Sequence, residues 1–311
     1  MNKLIVSSSP HVRSNASTQR IMLDVLIALL PALVAGTVIF GWRALAVVGV
    51  CAAAAVLSEF LFNLILKREQ TVSDLSAAVT GVILGMNLRA DAPIWQCVIG
   101  SVFAIIVVKC LFGGLGCNFA NPAATARVFL LISFAGTLGG GMAPTVVESA
   151  VTTGATPLTA LSSGGELPPL TDMLLGLHGG AIGEVCSLAL ILGFIYLVAR
   201  RVINFEVPLI FVGTVFTLAL IADSSFVTAT YQILSGGLIF GAVFMATDYV
   251  TTPITRVGRM IFALGCGLIT FLIRYYGNYP EGVSFAILLM NILSPYIEKW
   301  TAKRPLGGKK A

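Results

Sequence analysis

Ten stretches of this 311-residue chain are so apolar that a bilayer is the only solvent that suits them all. They are Ile21–Phe40, Ala44–Ile65, Leu75–Leu88, Ile94–Phe112, Ala123–Ala135, Ala181–Ala199, Pro208–Ile221, Gln232–Ala246, Met260–Ile273 and Val283–Ile297. A crossing helix needs about 20 apolar residues. Several of these segments are short or rich in Gly, which predicts tilted or interrupted helices packed inside a bundle. Charged residues make up 11% of the chain, against about 25% in soluble domains, and mean hydropathy is +0.95. A water-soluble globule cannot hide that much apolar surface. The same figures exclude a disordered chain, a collagen and a disulfide scaffold. The +5 net charge is spread among loops, so no nucleic-acid partner is expected. The reading is an all-α polytopic membrane protein of about ten transmembrane helices, with the lipid bilayer as its first partner.

Lys and Arg set the orientation of such a chain. With the N-terminus inside, alternate loops collect fifteen on the inner side and three outside, Arg43, Arg89 and Arg274, with Arg127 left within a span. Both termini are therefore expected in the cytoplasm and the protein in the cell inner (plasma) membrane. Residues 1–20 form a polar N-terminal segment without a cleavage site. Residues 21–135 form a first set of five helices, 136–180 an external connection, 181–297 a second set of five, and 298–311 a basic tail. The turn Gly113–Asn121 stands before the fifth span as Tyr276–Glu281 stands before the tenth. An odd number of spans in each half requires the two repeats to be inverted.

Little in the chain fits hydrolytic or metal chemistry. The six Cys form no CxxC pair, and His11 and His178 fall on opposite sides, so neither a metal site nor a catalytic residue is assigned. Cys117 lies in the Gly-rich inner turn, where a partner could supply further thiolates to an iron–sulfur cluster. Asp24, Glu59 and Glu184 fall in or near hydrocarbon, where ionisable groups face a cavity or a partner. Asp24 is close enough to the inner interface to reach it, and Glu59, about two turns in, is the candidate for an ion pathway. The external connection carries Val151-Thr-Thr-Gly-Ala-Thr-Pro-Leu158, a Thr-rich turn whose small neighbours would let a large group approach its hydroxyls.

Thr153-Gly154-Ala155-Thr156 resembles the Ser/Thr-x-Ala-Thr signal at whose last Thr a flavin transferase attaches FMN through a phosphoester. The surrounding chain is similar to the D subunit of Rnf-type ion-translocating electron-transport complexes, a relative of the B subunit of the sodium-translocating NADH:quinone reductase. Ser9–Arg13, Asp24–Pro31, Gly113–Ala123, Thr153–Leu158 and Ala246–Pro253 carry the resemblance. Two departures are mild: Thr153 stands where Ser is usual, and the acid before the motif is Glu148, somewhat upstream. Thr228-Ala-Thr230 is a decoy, because Val227 occupies the Ser/Thr position.

The resemblance implies covalent FMN on Thr156 in a membrane subunit of a translocating ferredoxin:NAD oxidoreductase, which couples electron relay to sodium or proton transport. It implies partners too: a second FMN-carrying subunit, iron–sulfur subunits and the transferase. It also implies a non-covalent riboflavin toward the inner side, for which Asn118, Asn121, Asp248 and Thr251 are the candidates. Arg43, Arg89 and Arg274 are candidate counter-charges for the FMN phosphate. The competing reading is a urea-transporter-like small-solute channel without redox function, since fold alone does not fix function.

Overall fold

The computed structural model describes residues 17–138, 156–165, 167–277 and 281–302. Its first half holds α1 (Thr18–Phe40), α2 (Trp42–Ile65), α3 (Ser76–Met86), α4 (Ile94–Val102), α5 (Pro122–Ser133) and the short α6 (Ala135–Leu138). A 3-10 turn, Val72–Asp74, leads into α3, and α4 continues as a π-helix over Phe103–Cys110. Two short helices follow, α7 (Pro157–Ser163) and α8 (Leu170–Leu175). The second half holds α9 (Ser187–Ala199), α10 (Glu206–Asp223), α11 (Phe226–Leu234), α12 (Leu238–Phe240) running into a π-helix at Gly241–Met245, α13 (Arg256–Tyr276) and α14 (Val283–Thr301). No strand occurs among the described residues, in line with the all-α expectation.

Four helices, α1, α2, α10 and α13, are long and apolar enough to cross a bilayer. A fifth crossing results if α11 and α12, bent by 62° at Ser235–Gly237, count as one broken span. Helices α3, α4 with its π continuation, α5 and α9 are apolar but 10–17 residues long. The ten apolar segments therefore do not become ten full-length rods. Gly and Pro interrupt several of them, and the sixth begins as a turn: residues 181–186 precede α9 without helix. Short segments are tolerated because protein, not lipid, surrounds them. Nine of the twelve residues of α5 are buried, Arg127 among them. By contrast α13 turns Val257, Ile261, Leu264, Leu268 and Leu272 outward at helical spacing, as a lipid-facing stripe.

Close approach depends on missing side chains. Gly81 and Gly85, one turn apart on α3, lie against α2, where a Cβ at Gly81 would sit 2.6 Å from the Ala52 Cα. This is the small-residue packing by which membrane helices approach backbone to backbone. It fixes α3, and with it Ser76, against α2. The halves meet where α1 runs along α9 and α5 along α14. Asp24 ties the first pair, accepting from Tyr196 Oη at 2.9 Å and facing Arg200 at 3.3 Å. That contact gives Asp24 a structural role at the helix end. One end of the bundle thus carries Asp24–Arg200, Lys109–Glu59 and Glu206–Arg256, and the other Arg274 and the helix α7.

Candidate functional sites

At the Lys109 end, α1, α3, α9 and both π-helices line an open cavity of about 790 Å³, solvent at its mouth included. Ile21, Val25, Val79, Leu197 and Phe244 give it an apolar body, while Asn118, Asp248, Thr247 and Thr80 supply polar groups. Such a lining suits a flat aromatic ring with carbonyls and ring nitrogens on its rim.

Asn118, Asn121 and Asp248, chosen from sequence, all line this cavity. Their roles differ. The Asn121 Oδ1 caps α5, accepting from the Ala123 and Ala124 N–H groups at 3.0 and 3.1 Å, while its Nδ2 donates to the Met245 carbonyl at 3.1 Å. Its amide therefore shapes the pocket more than it offers a free partner. Asn118 donates to the Ala120 carbonyl at 3.0 Å and also reaches Asp248. Thr251 stands behind Asp248, donating to its Oδ2 at 3.2 Å, and does not line the cavity. Desolvation pushes the Asp248 carboxyl above its ordinary value, against donors from Val250, Thr251 and Asn118.

Glu59 is 1% exposed and not alone. Lys109 Nζ, at the end of the first π-helix, donates to Glu59 Oε1 at 2.8 Å and to Ser76 Oγ at 2.6 Å. Thr71 Oγ1 donates to the same Oε1 at 2.7 Å, and Asn63 supports Thr71 at 3.1 Å. Asp74 Oδ1 accepts from the Ser76 N–H at 2.7 Å across Leu75, which is held at φ 63°. A non-Gly residue in the left-handed region stores strain that the surrounding packing must offset. Charge counting alone places Lys109 among the inner loop cations. The signal against that placement is that eleven of the fourteen residues before Lys109 are apolar, with no charge and no Pro between.

At the opposite end, Thr156 is 5% exposed and forms the N-cap of α7. Its Oγ1 accepts from the Thr159 N–H at 3.2 Å and lies 3.3 Å from Thr159 Oγ1. The expected open hydroxyl is therefore held inside a cap. Thr153, Gly154 and Ala155 lie outside the described residues. Of the three candidate arginines, Arg43 is exposed and Arg89 pairs with Asp91 at 2.6 Å. Arg274 is buried, donating to Gln232 and, at 3.1 Å, to the Ser235 carbonyl. It also lies close to α7: a Cβ on Gly236 would lie 3.2 Å from Arg274 Nη2 and 3.6 Å from Leu158 Cδ2. Between the two ends, the buried Arg127 pairs with the partly exposed Glu281 at 2.7 Å, a pair that no spacing in the sequence reveals.

Comparison with known proteins gives these sites a context. The chain is 47% identical over 311 residues to the D subunit of the Na(+)-translocating ferredoxin:NAD(+) oxidoreductase complex of Acetobacterium woodii, covering 99% of this chain and 96% of that one. It is 40% identical over 325 residues to the D subunit of the proton-translocating ferredoxin:NAD(+) oxidoreductase complex of Clostridium ljungdahlii, covering 99% and 98%. It is 39% identical over 328 residues to the D subunit of the ion-translocating oxidoreductase complex of Stutzerimonas stutzeri, covering 94% and 93%. The profile of the NQR2, RnfD, RnfE family matches residues 5–307, and the chain belongs to that family.

Proposed function

We propose that this chain is the flavin-carrying membrane subunit of an ion-translocating ferredoxin:NAD oxidoreductase complex, with FMN esterified to Thr156 and riboflavin held in the cavity at Asn118. The observation that carries the reading is Thr156 itself. It ends a stretch that resembles a flavinylation signal and stands at the start of a helix beside the buried Arg274. The full-length likeness to the D subunits of such complexes supports it. A tethered flavin supplies one-electron and two-electron chemistry, while the protein positions it and excludes water. Arg274 would offset the phosphate charge, and the apolar cavity walls would hold the second ring with Asn118 and Asp248 at its rim. Partners would be the iron–sulfur subunits, a second FMN-carrying subunit and the transferase. The Acetobacterium relative is named for sodium and the Clostridium relative for the proton.

In this reading the Lys109 end faces the cytoplasm, with both termini there, and the first and second sets of helices form inverted repeats in the inner membrane. The pairing of α1 with α9 and of α5 with α14 supports the repeats, because a two-fold relation brings corresponding contacts together. A reporter fused after Ala311 should be active only in the cytoplasm, and one inserted near Ser163 only outside. Activity of both on one side removes the topology. For the inner flavin, Asn118→Leu should lower acid-extractable riboflavin several-fold while covalent FMN remains on the band. Full riboflavin content in that variant takes Asn118 out of the site. Purified chain without any bound flavin would favour the channel reading instead.

A further inference from the structure

A second open cavity, of about 570 Å³ with solvent at its mouth included, lies beside the one with Asn118 and shares Ile203, Thr247 and Tyr249 with it. It is built from the turn between α9 and α10, the turn before α13 and the first turn of α13, and its lining includes Asn204, Thr252, Ile254 and Arg259. Arg259 is the charged group of that lining. Its Nη1 donates to the Ile254 carbonyl at 3.0 Å, which fixes the plane of the guanidinium, while its Nε is buried and donates to no acceptor. A buried donor without an acceptor is costly. The edge formed by Nε and Nη2 is the fork that takes two oxygens of one phosphate. Among the described residues no carboxylate pairs with Arg259: Glu206 is taken by Arg256 at 2.6 Å and Asp24 by Arg200 at 3.3 Å, and neither acid lines the cavity. The lining is cationic and suits an anion's oxygens.

The level of the cavity points to the source of that anion. Thr255, the N-cap of α13, meets Thr301 hydroxyl to hydroxyl at 2.6 Å, and Trp300 beside it is exposed. An exposed Trp at the end of a membrane helix marks the headgroup level of a bilayer. Ile254, which lines the cavity, and Val257, the first residue of the lipid-facing stripe of α13, are exposed at the same end. A free phosphate gains nothing from such an apolar rim, whereas acyl chains do. We propose that this cavity binds the phosphodiester headgroup of an anionic glycerophospholipid, with Arg259 on the phosphate and the acyl chains along the stripe of α13 that begins at Val257. Thr252 Oγ1 already donates its hydrogen to the Asp248 carbonyl at 2.6 Å, so it meets the headgroup as an acceptor. A glycerol hydroxyl satisfies that acceptor and a trimethylammonium does not. Asn204 adds an amide donor. A basic pocket without an acid of its own favours a lipid of net negative charge over a zwitterionic one. Tyr249 Oη donates to the Val202 carbonyl, which holds the ring where the two cavities meet, so a bound headgroup packs against a wall of the first cavity.

For the test, the full chain is purified in detergent, washed free of lipid and titrated with dioctanoyl phosphatidylglycerol, dioctanoyl phosphatidylcholine or inorganic phosphate, with the complexes counted by native mass spectrometry. Phosphatidylglycerol should saturate its site about tenfold more tightly than phosphatidylcholine does, and a millimolar excess of inorganic phosphate should not displace it. Arg259→Gln should weaken phosphatidylglycerol about tenfold, and Arg259→Lys, which keeps the charge and loses the fork, by less. Because Arg259→Gln also removes the bond to the Ile254 carbonyl, Asn204→Asp serves as a second variant. It leaves that bond in place, adds a carboxylate to the lining of the cavity and should weaken phosphatidylglycerol to a similar extent through like-charge repulsion. Arg201→Gln is the control, an exposed cation at the same end that does not line the cavity, and its affinity should stay within about twofold of the parent. Equal losses in Arg259→Gln and Arg201→Gln would reduce the binding to diffuse attraction and overturn the site. Phosphatidylcholine bound as tightly as phosphatidylglycerol, or parent-like affinity in Asn204→Asp, would overturn it too. Displacement by inorganic phosphate would make the cavity a phosphate site and refute the lipid.

Discussion

Thr156→Val should reach the membrane folded and without covalent flavin. A phosphoester forms only through an oxygen, and Val keeps the β-branched shape while removing it. Fluorescence that travels with the band on a denaturing gel should disappear. Electron flow through the assembled complex should fall by orders of magnitude, because one relay centre is missing. The substitution also removes the N-cap of α7, worth about 1 kcal/mol, on a helix of only seven residues. Ser225→Ala is the matching control: it deletes the equivalent cap on α11, where Ser225 accepts from Thr228 N–H at 3.3 Å, and should leave the covalent flavin untouched. Thr153→Val should weaken recognition by the transferase without abolishing the bond. Persistent fluorescence in Thr156→Val would place the ester elsewhere, with Thr152, Thr153 and Thr230 next to be tested.

The largest loss of stability is expected from Glu281→Ala. It would take the carboxylate at 2.7 Å from the Arg127 guanidinium, which is 1% exposed, and leave it only the more distant charge of the buried Glu184. Breaking a buried pair from one side typically costs about 3–5 kcal/mol, because a charge remains in a poor solvent for it, and the lower end applies here because the Glu281 side chain is 18% exposed. Thermal unfolding in detergent should therefore begin far below that of the parent chain. Arg127→Met combined with Glu281→Leu removes both charges and should recover most of the loss. If Glu281→Ala melts with the parent, or the double variant is the worse of the two, the pair does not hold α5 to the turn before α14.

How much of this is legible in the sequence follows from what each feature depends on. The lipid-facing helices can be read directly, because α1, α2, α10 and α13 are continuous apolar runs whose solvent is bulk hydrocarbon. The broken elements can be read only as short or Gly-rich. Whether Gln232–Ala246 is a rod or a bend at Ser235–Gly237 is decided by Arg274, which donates to the Gln232 and Ser235 carbonyls freed there. The pocket residues Asn118 and Asp248 are reached through resemblance, since no spacing in the chain joins positions so far apart. Lys109 and Arg127 stay hidden for a related reason. A cation's position in the chain says where it could be, but its partner, Glu59 or Glu281, is chosen by packing between distant helices.

The π-helix at Phe103–Cys110 has a consequence for how this chain can change over time. A π turn accommodates one more residue than the α-helical path it interrupts, and such turns gather at functional positions. Residues in its last turn, Lys109 among them, are out of phase with α4 by up to about 100°, the rotation of one α-helical step. Lys109 thus owes its aim to an inserted residue as well as to its own identity. A single-residue deletion between Phe103 and Val108 would keep the lysine and turn it away from Glu59, so a gap there in an alignment of relatives would mark a change of wiring even where every charged residue is retained.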